Sequence, residues 1–227
     1  LIKEGSGLER RGDWTGTYSG IKFYPLDPRP EDICLSDISH ALSNICRFNG
    51  QTKVFYSVAA HCFNVYRWLW DRGHSVRVCL LGLLHDAAEA YICDIPRPLK
   101  QYLPGYKQIE ERIMQAVYER FGIDPPAPEE EEIIKQADDY ILSLEANMLM
   151  TDTSDWNLVE SGDSSYLDID SENAQVKFES IAKVLLKVCN DGWSDADCKG
   201  KPDEDGIKGK RWFDFDPDTS VNKREMR

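Results

Sequence analysis

The 227 residues carry 27 Lys and Arg against 40 Asp and Glu, a formal net charge of -13. Such a surface repels phosphate backbones and anionic membranes, so a general nucleic-acid role or a nuclease is not expected, whereas a single nucleotide needs only a local patch of cations. Hydrophobic residues at 41% and charged residues at 30% suit one domain with ample core and room for a tail.

Seven scattered cysteines with no C-x-x-C pair read as reduced thiols. There is no run of about 18 apolar residues and no basic-then-apolar opening segment, so a cytoplasmic protein without membrane contact is expected. Residues 1–17 are polar and glycine-containing and are expected to be flexible. Gly20 to Asp32 holds three prolines and two aromatics and reads as an extended arm with room for one short strand pair. From Ile33 to Cys46 the apolar positions Ile38, Leu42 and Ile45 predict a helix capped by Ser36 or Asp37, with His40 packed or at the surface. Arg47 and Phe48 follow in a glycine-containing loop. Ser57 to Trp70 predicts an amphipathic helix with Ser57 as N-cap and His61 one turn in; His74, on the turn after it, is expected to be exposed.

The run Val76 to Ile92 has helical periodicity, with Val76, Leu80, Leu83, Leu84, Ala87, Ala88 and Tyr91 at three- and four-residue steps. On one continuous helix His85 and Glu89 stand one above the other and Asp86 lies one step around. Ionisable groups buried there each cost several kcal/mol unless paired, and a divalent cation pairs with several at once. Pro96 and Pro98 end this helix near Cys93, which leaves Asp94, Arg97 and Lys100 on a turn beyond it. Tyr106 to Phe121 predicts a further helix with Gly122 as C-cap. Pro128 to Met150 predicts another, with an acidic first turn that suits the helix dipole and Asp138 beside its apolar stripe. Residues 151–170 read as a loop with Trp156 and Tyr166 tucked inward, Ser171 to Cys189 as the last helix, and 191–227 as a tail with an aromatic cluster at Trp212, Phe213 and Phe215. The domain proper is expected over 18–190. His61, His85, Asp86 and Asp138, on three helices, are the candidate ligands of a mixed nitrogen and oxygen metal site in an all-α bundle.

The order His61, His85-Asp86, Asp138 resembles the H…HD…D signature of HD-domain metal-dependent phosphohydrolases, over a stretch from about Tyr18 to Cys189. SVAAH at Ser57 to His61, HDAAEAYICDIPRPLK at His85 to Lys100 and KQADD at Lys135 to Asp139 are similar to the small nucleotide-hydrolysing branch. That branch includes YfbR-type 5′-deoxynucleotidases and phage deoxynucleoside triphosphohydrolases, dATPases among them. The resemblance implies a compact helical bundle, a homo-oligomer, one divalent ion (Mn, Co, Fe, Ni or Zn), Glu89 and Asp94 as the groups that handle the proton of the attacking water or leaving group, and Arg47 on the substrate phosphate. Phe48 is a candidate contact to base or sugar. A triphosphate needs more cations than a monophosphate, and Lys53, Arg97, Lys100 and Lys107 are the candidates. The expected activity is therefore triphosphohydrolysis of a deoxynucleoside triphosphate, with dATP favoured. A 5′-deoxynucleotidase acting on deoxynucleoside monophosphates is the alternative, and a non-catalytic nucleotide- or metal-binding module is the alternative of another class.

Overall fold

The computed structural model describes residues 10–160, 162 and 164–190. The 191–227 tail with its Trp212, Phe213 and Phe215 cluster, and the first nine residues, lie outside the described residues. Among the described residues the protein is all-α apart from one small hairpin. No helix among them is long and apolar enough to cross a membrane.

The hairpin pairs β1 (Thr15–Gly16) antiparallel with β2 (Lys22–Phe23), Thr15 opposite Phe23 and Gly16 opposite Lys22. Residues 10–17 are thus anchored where flexibility was expected. Arg10 forms ion pairs with Asp27 and Asp32, and Phe23 is fully buried, stacked on Tyr91 at 4.0 Å between ring centroids.

α1 (Leu35–Asn44) is capped by Cys34, without a side-chain cap, and not by Ser36 or Asp37. Asp37 instead accepts from the Ser19 N–H and hydroxyl at 2.7 and 2.8 Å, tying the arm to the helix. α2 (Val58–Asp71) starts as expected, with the Ser57 hydroxyl accepting from Ala60 N–H. His74, expected to be exposed, is half-buried with its ring parallel to that of Trp68.

α3 (Val76–Leu84) is buried along its whole length apart from Arg77. Each fully buried Leu on it contributes about 1.5–3 kcal/mol relative to exposure. Gly82 sits where a Cβ would come within 2.2 Å of Leu69 Cδ1, so a larger residue there would force the Leu69 side chain or the two helices to shift.

The expected continuous helix to Ile92 is interrupted. His85 Nδ1 donates to the Gly82 carbonyl at 2.8 Å, and the following N–H groups reach back only three residues, Ala87 to Leu84 and Glu89 to Asp86, both at 2.9 Å. At about three residues per turn, four positions amount to roughly 480°, so Glu89 does not stand above His85. The chain resumes as α4 (Glu89–Ile92), followed by the single turn α5 (Arg97–Lys100).

α6 (Tyr106–Phe121) ends on left-handed Gly122 as the sequence predicts. α7 (Pro128–Leu149) and α8 (Ala174–Asn190) complete the set, and Ile141, Leu144, Phe178 and Ala182 join Val65, Leu69 and the α3 leucines in the core.

Candidate metal centre

Three elements bring four ligand-type side chains together. His61 comes from the second turn of α2, His85 and Asp86 from the tightened turn after α3, and Asp138 from α7. His61 Nε2 lies 3.3 Å from His85 Nε2 and 3.2 Å from Asp138 Oδ1. Asp86 Oδ2 lies 3.2 Å from His85 Nε2 and 3.8 Å from His61 Nε2. The ligand atoms of His61, His85 and Asp86 all fall within 4.8 Å of one another, a group that could hold a metal ion. Donors sharing one ion at bond lengths of about 2.1 Å stand about 3.0–3.4 Å apart, close to what is seen.

The protons decide what these atoms are. A carbonyl only accepts, so His85 Nδ1, bonded to Gly82 O, carries a hydrogen. His61 Nδ1 donates to Glu145 Oε1 at 2.7 Å. In the neutral form of both rings each Nε2 is then a bare lone pair; the two face each other, with Asp86 beside both and Asp138 beside His61. Four acceptors converging without a hydrogen need a cation or extra protons between them. In the metal-free protein the same need favours protons on the histidines. Burial and the Arg47 charge oppose protonation of His61, but Glu145 and Asp138 raise it; burial opposes that of His85, but Asp86 and Cys62 raise it well above the ordinary imidazole value. Burial works against ionised Asp86 and Asp138 too, yet the histidines hold both far below the usual carboxylate range.

Glu145 was not singled out from the sequence, although its place seven residues after Asp138, two turns along the same face of α7, was a readable signal. It is fully buried, accepts from Tyr56 OH at 2.8 Å as well as from His61, and pairs through Oε2 with Arg47 Nη2 at 3.0 Å. Asn64 donates to the Tyr56 hydroxyl in turn. Burial alone would raise the Glu145 carboxyl, but Arg47 and His61 bring it below its ordinary value. Glu145 thereby fixes the His61 tautomer and the Arg47 guanidinium together.

Beside this centre lies a cavity of about 740 Å³. Asp86 and Asp138 line it, together with Arg47, Glu89, Asp94 and Lys100. Glu89 is 3% exposed and its Oε2 has no hydrogen-bond partner. Burial, then the charges of Asp86 and Asp94, push its carboxyl up to about 10. Asp94 is raised as well, by burial first and Asp86 next. Cys93 holds a positive φ of 69° with ψ 159°, a conformation uncommon and costly for a non-glycine residue, and the next residue, Asp94, lines the cavity.

Of the expected substrate residues, Arg47, Phe48, Arg97 and Lys100 line the cavity. Lys53 does not: it is exposed, and its ammonium donates to the Met148 carbonyl at 3.3 Å. Lys107 is 85% exposed and pairs along α6 with Glu111. Trp156, expected to tuck inward, is 42% exposed and stands in the cavity wall opposite Phe48. Tyr166 is half-buried, its hydroxyl donating to Asp71.

This chain is similar to the uncharacterized protein YfdR of Escherichia coli, with 39% identity over 145 residues, 63% of this chain and 77% of that protein. It belongs to the YfdR family. An uncharacterized protein of Rhodobacter capsulatus is also 39% identical, over 144 residues that make up 60% of this chain and 72% of the relative. No protein-family model matches the chain. The helical fold and the His61, His85 and Asp86 cluster are compatible with an HD-domain phosphohydrolase.

Proposed function

We propose that this protein is an HD-type, metal-dependent phosphohydrolase of deoxynucleotides, with Asp138 as the fourth ligand beside His61, His85 and Asp86. The observation that carries the reading is the joining of that donor set to a cavity holding a buried carboxyl, Glu89, whose Oε2 has no hydrogen-bond partner. The donors fit a divalent ion with open positions, and bound there it would polarise a phosphoryl oxygen and acidify water. Glu89, whose raised pKa keeps it protonated at neutral pH in the metal-free protein, is suited to exchange a proton with the attacking or leaving oxygen. Lys100 Nζ, 3.8 Å from Glu89 Oε1 and 2.7 Å from Glu110, places positive charge beside it. Arg47, held by Glu145 and 3.8 Å from Asp86, sets a rigid guanidinium on the cavity wall for a phosphoryl oxygen.

The number of phosphates follows from the cations that face the cavity. Arg47, Arg97 and Lys100 line it, each already ion-paired, while Lys53 and Lys107 point elsewhere. That placement favours a deoxynucleoside 5′-monophosphate. Triphosphohydrolysis, with dATP as the first substrate to test, is the second reading, favoured by Arg97, which is 68% exposed and free to exchange Asp138 and Asp139 for a longer anion. Incubation of metal-loaded protein with deoxynucleoside mono- and triphosphates tests both. Orthophosphate from the monophosphates supports the first reading and intact triphosphate the second. No turnover of either, with metal bound, leaves a non-catalytic binding module.

A further inference from the structure

The cavity lining is chemically mixed. Besides the carboxylates and cations it carries an aromatic pair, Phe48 and Trp156, together with the apolar side chains of Leu142 and Met150. The two rings stand 6.1 Å apart between centroids, tilted by 43°. Phe48 is held there at a cost. It and Asn49 are successive non-glycine residues in the left-handed region, at φ 52° and 53°, a conformation that Asn tolerates but that disfavours a residue such as Phe by about 1–2 kcal/mol. The Phe48 ring also lies 5.4 Å from the Arg47 guanidinium carbon, so the aromatic pair adjoins the cation proposed to hold the phosphate.

Trp156 sits on a loop fastened at several points. Its N–H donates to Thr153 O and its carbonyl accepts from Leu158 N–H, both at 3.0 Å. Val159 N–H donates to Ser143 Oγ on α7 at 3.1 Å. A large indole left 42% exposed on an anchored loop, in the wall of a cavity, offers a flat face to a flat ligand.

We infer that Trp156, with Phe48, is the platform on which the nucleobase stacks, so that this cavity selects nucleotides over base-free phosphate esters. The inference rests on the phosphohydrolase reading for the position of the phosphate. Stacking on aromatic side chains accepts every base because each has a π face, so affinity rather than sharp base choice comes from the aromatic pair.

The test compares kcat/KM for dAMP with kcat/KM for 2-deoxyribose 5-phosphate, which has the same sugar and phosphate and no base. In Trp156→Ala the ratio of the two falls about ten- to hundredfold, mostly through the KM for dAMP, and Trp156→Phe keeps most of it. An unchanged ratio overturns the platform while leaving phosphohydrolysis standing. If metal-loaded wild-type protein hydrolyses neither ester, the monophosphate reading falls by itself. The platform is then judged by ligand-observed NMR with deoxyadenosine, which lacks phosphate. Binding to wild type that Trp156→Ala loses upholds it, and no binding, or equal binding to both, overturns it.

Discussion

Removing Glu145 tests the link between the buried charge network and the metal centre. In Glu145→Ala the Arg47 guanidinium loses its 3.0 Å partner, His61 Nδ1 its 2.7 Å acceptor and the Tyr56 hydroxyl its 2.8 Å acceptor, all around a residue with no solvent exposure. Breaking a buried ion pair from one side costs about 3–5 kcal/mol. For a chain of this size that corresponds to a fall in Tm of roughly 6–20 °C. Losing the carboxylate that orients a ligating imidazole costs about 10–100-fold in metal affinity. Glu145→Gln, which keeps an oxygen for Tyr56 and His61 but not the charge opposite Arg47, falls between wild type and alanine. Calorimetric titration of metal-stripped protein with Mn²⁺ reads the affinity, and thermal melting in chelator reads the stability. A lower Tm with unchanged metal affinity would show that Glu145 braces the fold without orienting His61. The pH profile adds an independent check. The folded Glu145 carboxyl lies below its ordinary value of 4.5, so its contribution is present in full above that pH and is lost as pH falls through the depressed folded value. Glu145→Gln loses that acid limb.

Glu89→Gln lowers turnover by orders of magnitude while metal affinity, read by the same titration, stays close to wild type; equal loss of both would place Glu89 among the ligands. In metal-free protein the same substitution changes the alkaline side. A carboxyl held protonated up to about 10 when folded but ionised above 4.5 when unfolded makes stability decline as pH rises between those values, and denaturant melts of Glu89→Gln show a shallower decline. Asp138→Asn weakens metal binding, whereas a titration matching wild type would confine the ligand set to His61, His85 and Asp86. Gly82→Ala gains about 1 kcal/mol of helix propensity but drives a methyl to 2.2 Å from the fully buried Leu69 Cδ1. Overpacking of about 1–3 kcal/mol predicts a net fall in Tm, and a rise would mean that α2 and α3 are not held at this distance.

Much of this protein is written in local pattern. The periodicities that place α2, α6, α7 and α8, the Ser57 and Gly122 caps and the prolines after Cys93 depend on residues within one or two turns of each other, so the sequence alone suffices for them. The four ligand-type residues were legible for the same reason, since imidazoles and carboxylates beside apolar stripes stand out without knowing what they face. The break after Leu84 was not legible, because apolar spacing cannot register that His85 Nδ1 takes the Gly82 carbonyl and tightens the turn, moving Glu89 off His85 and into the cavity wall. Glu145 shared a helix face with Asp138, but its worth depends on Arg47, Tyr56 and His61, 98, 89 and 84 residues away. The sorting of cations likewise came only with the tertiary structure: Lys53 and Lys100 look alike in sequence, yet one ammonium ends on Met148 O and the other beside Glu89. Helix formation is decided by near neighbours, but which charges share a buried space is decided by packing, where each ion must find its partner from a distant part of the chain.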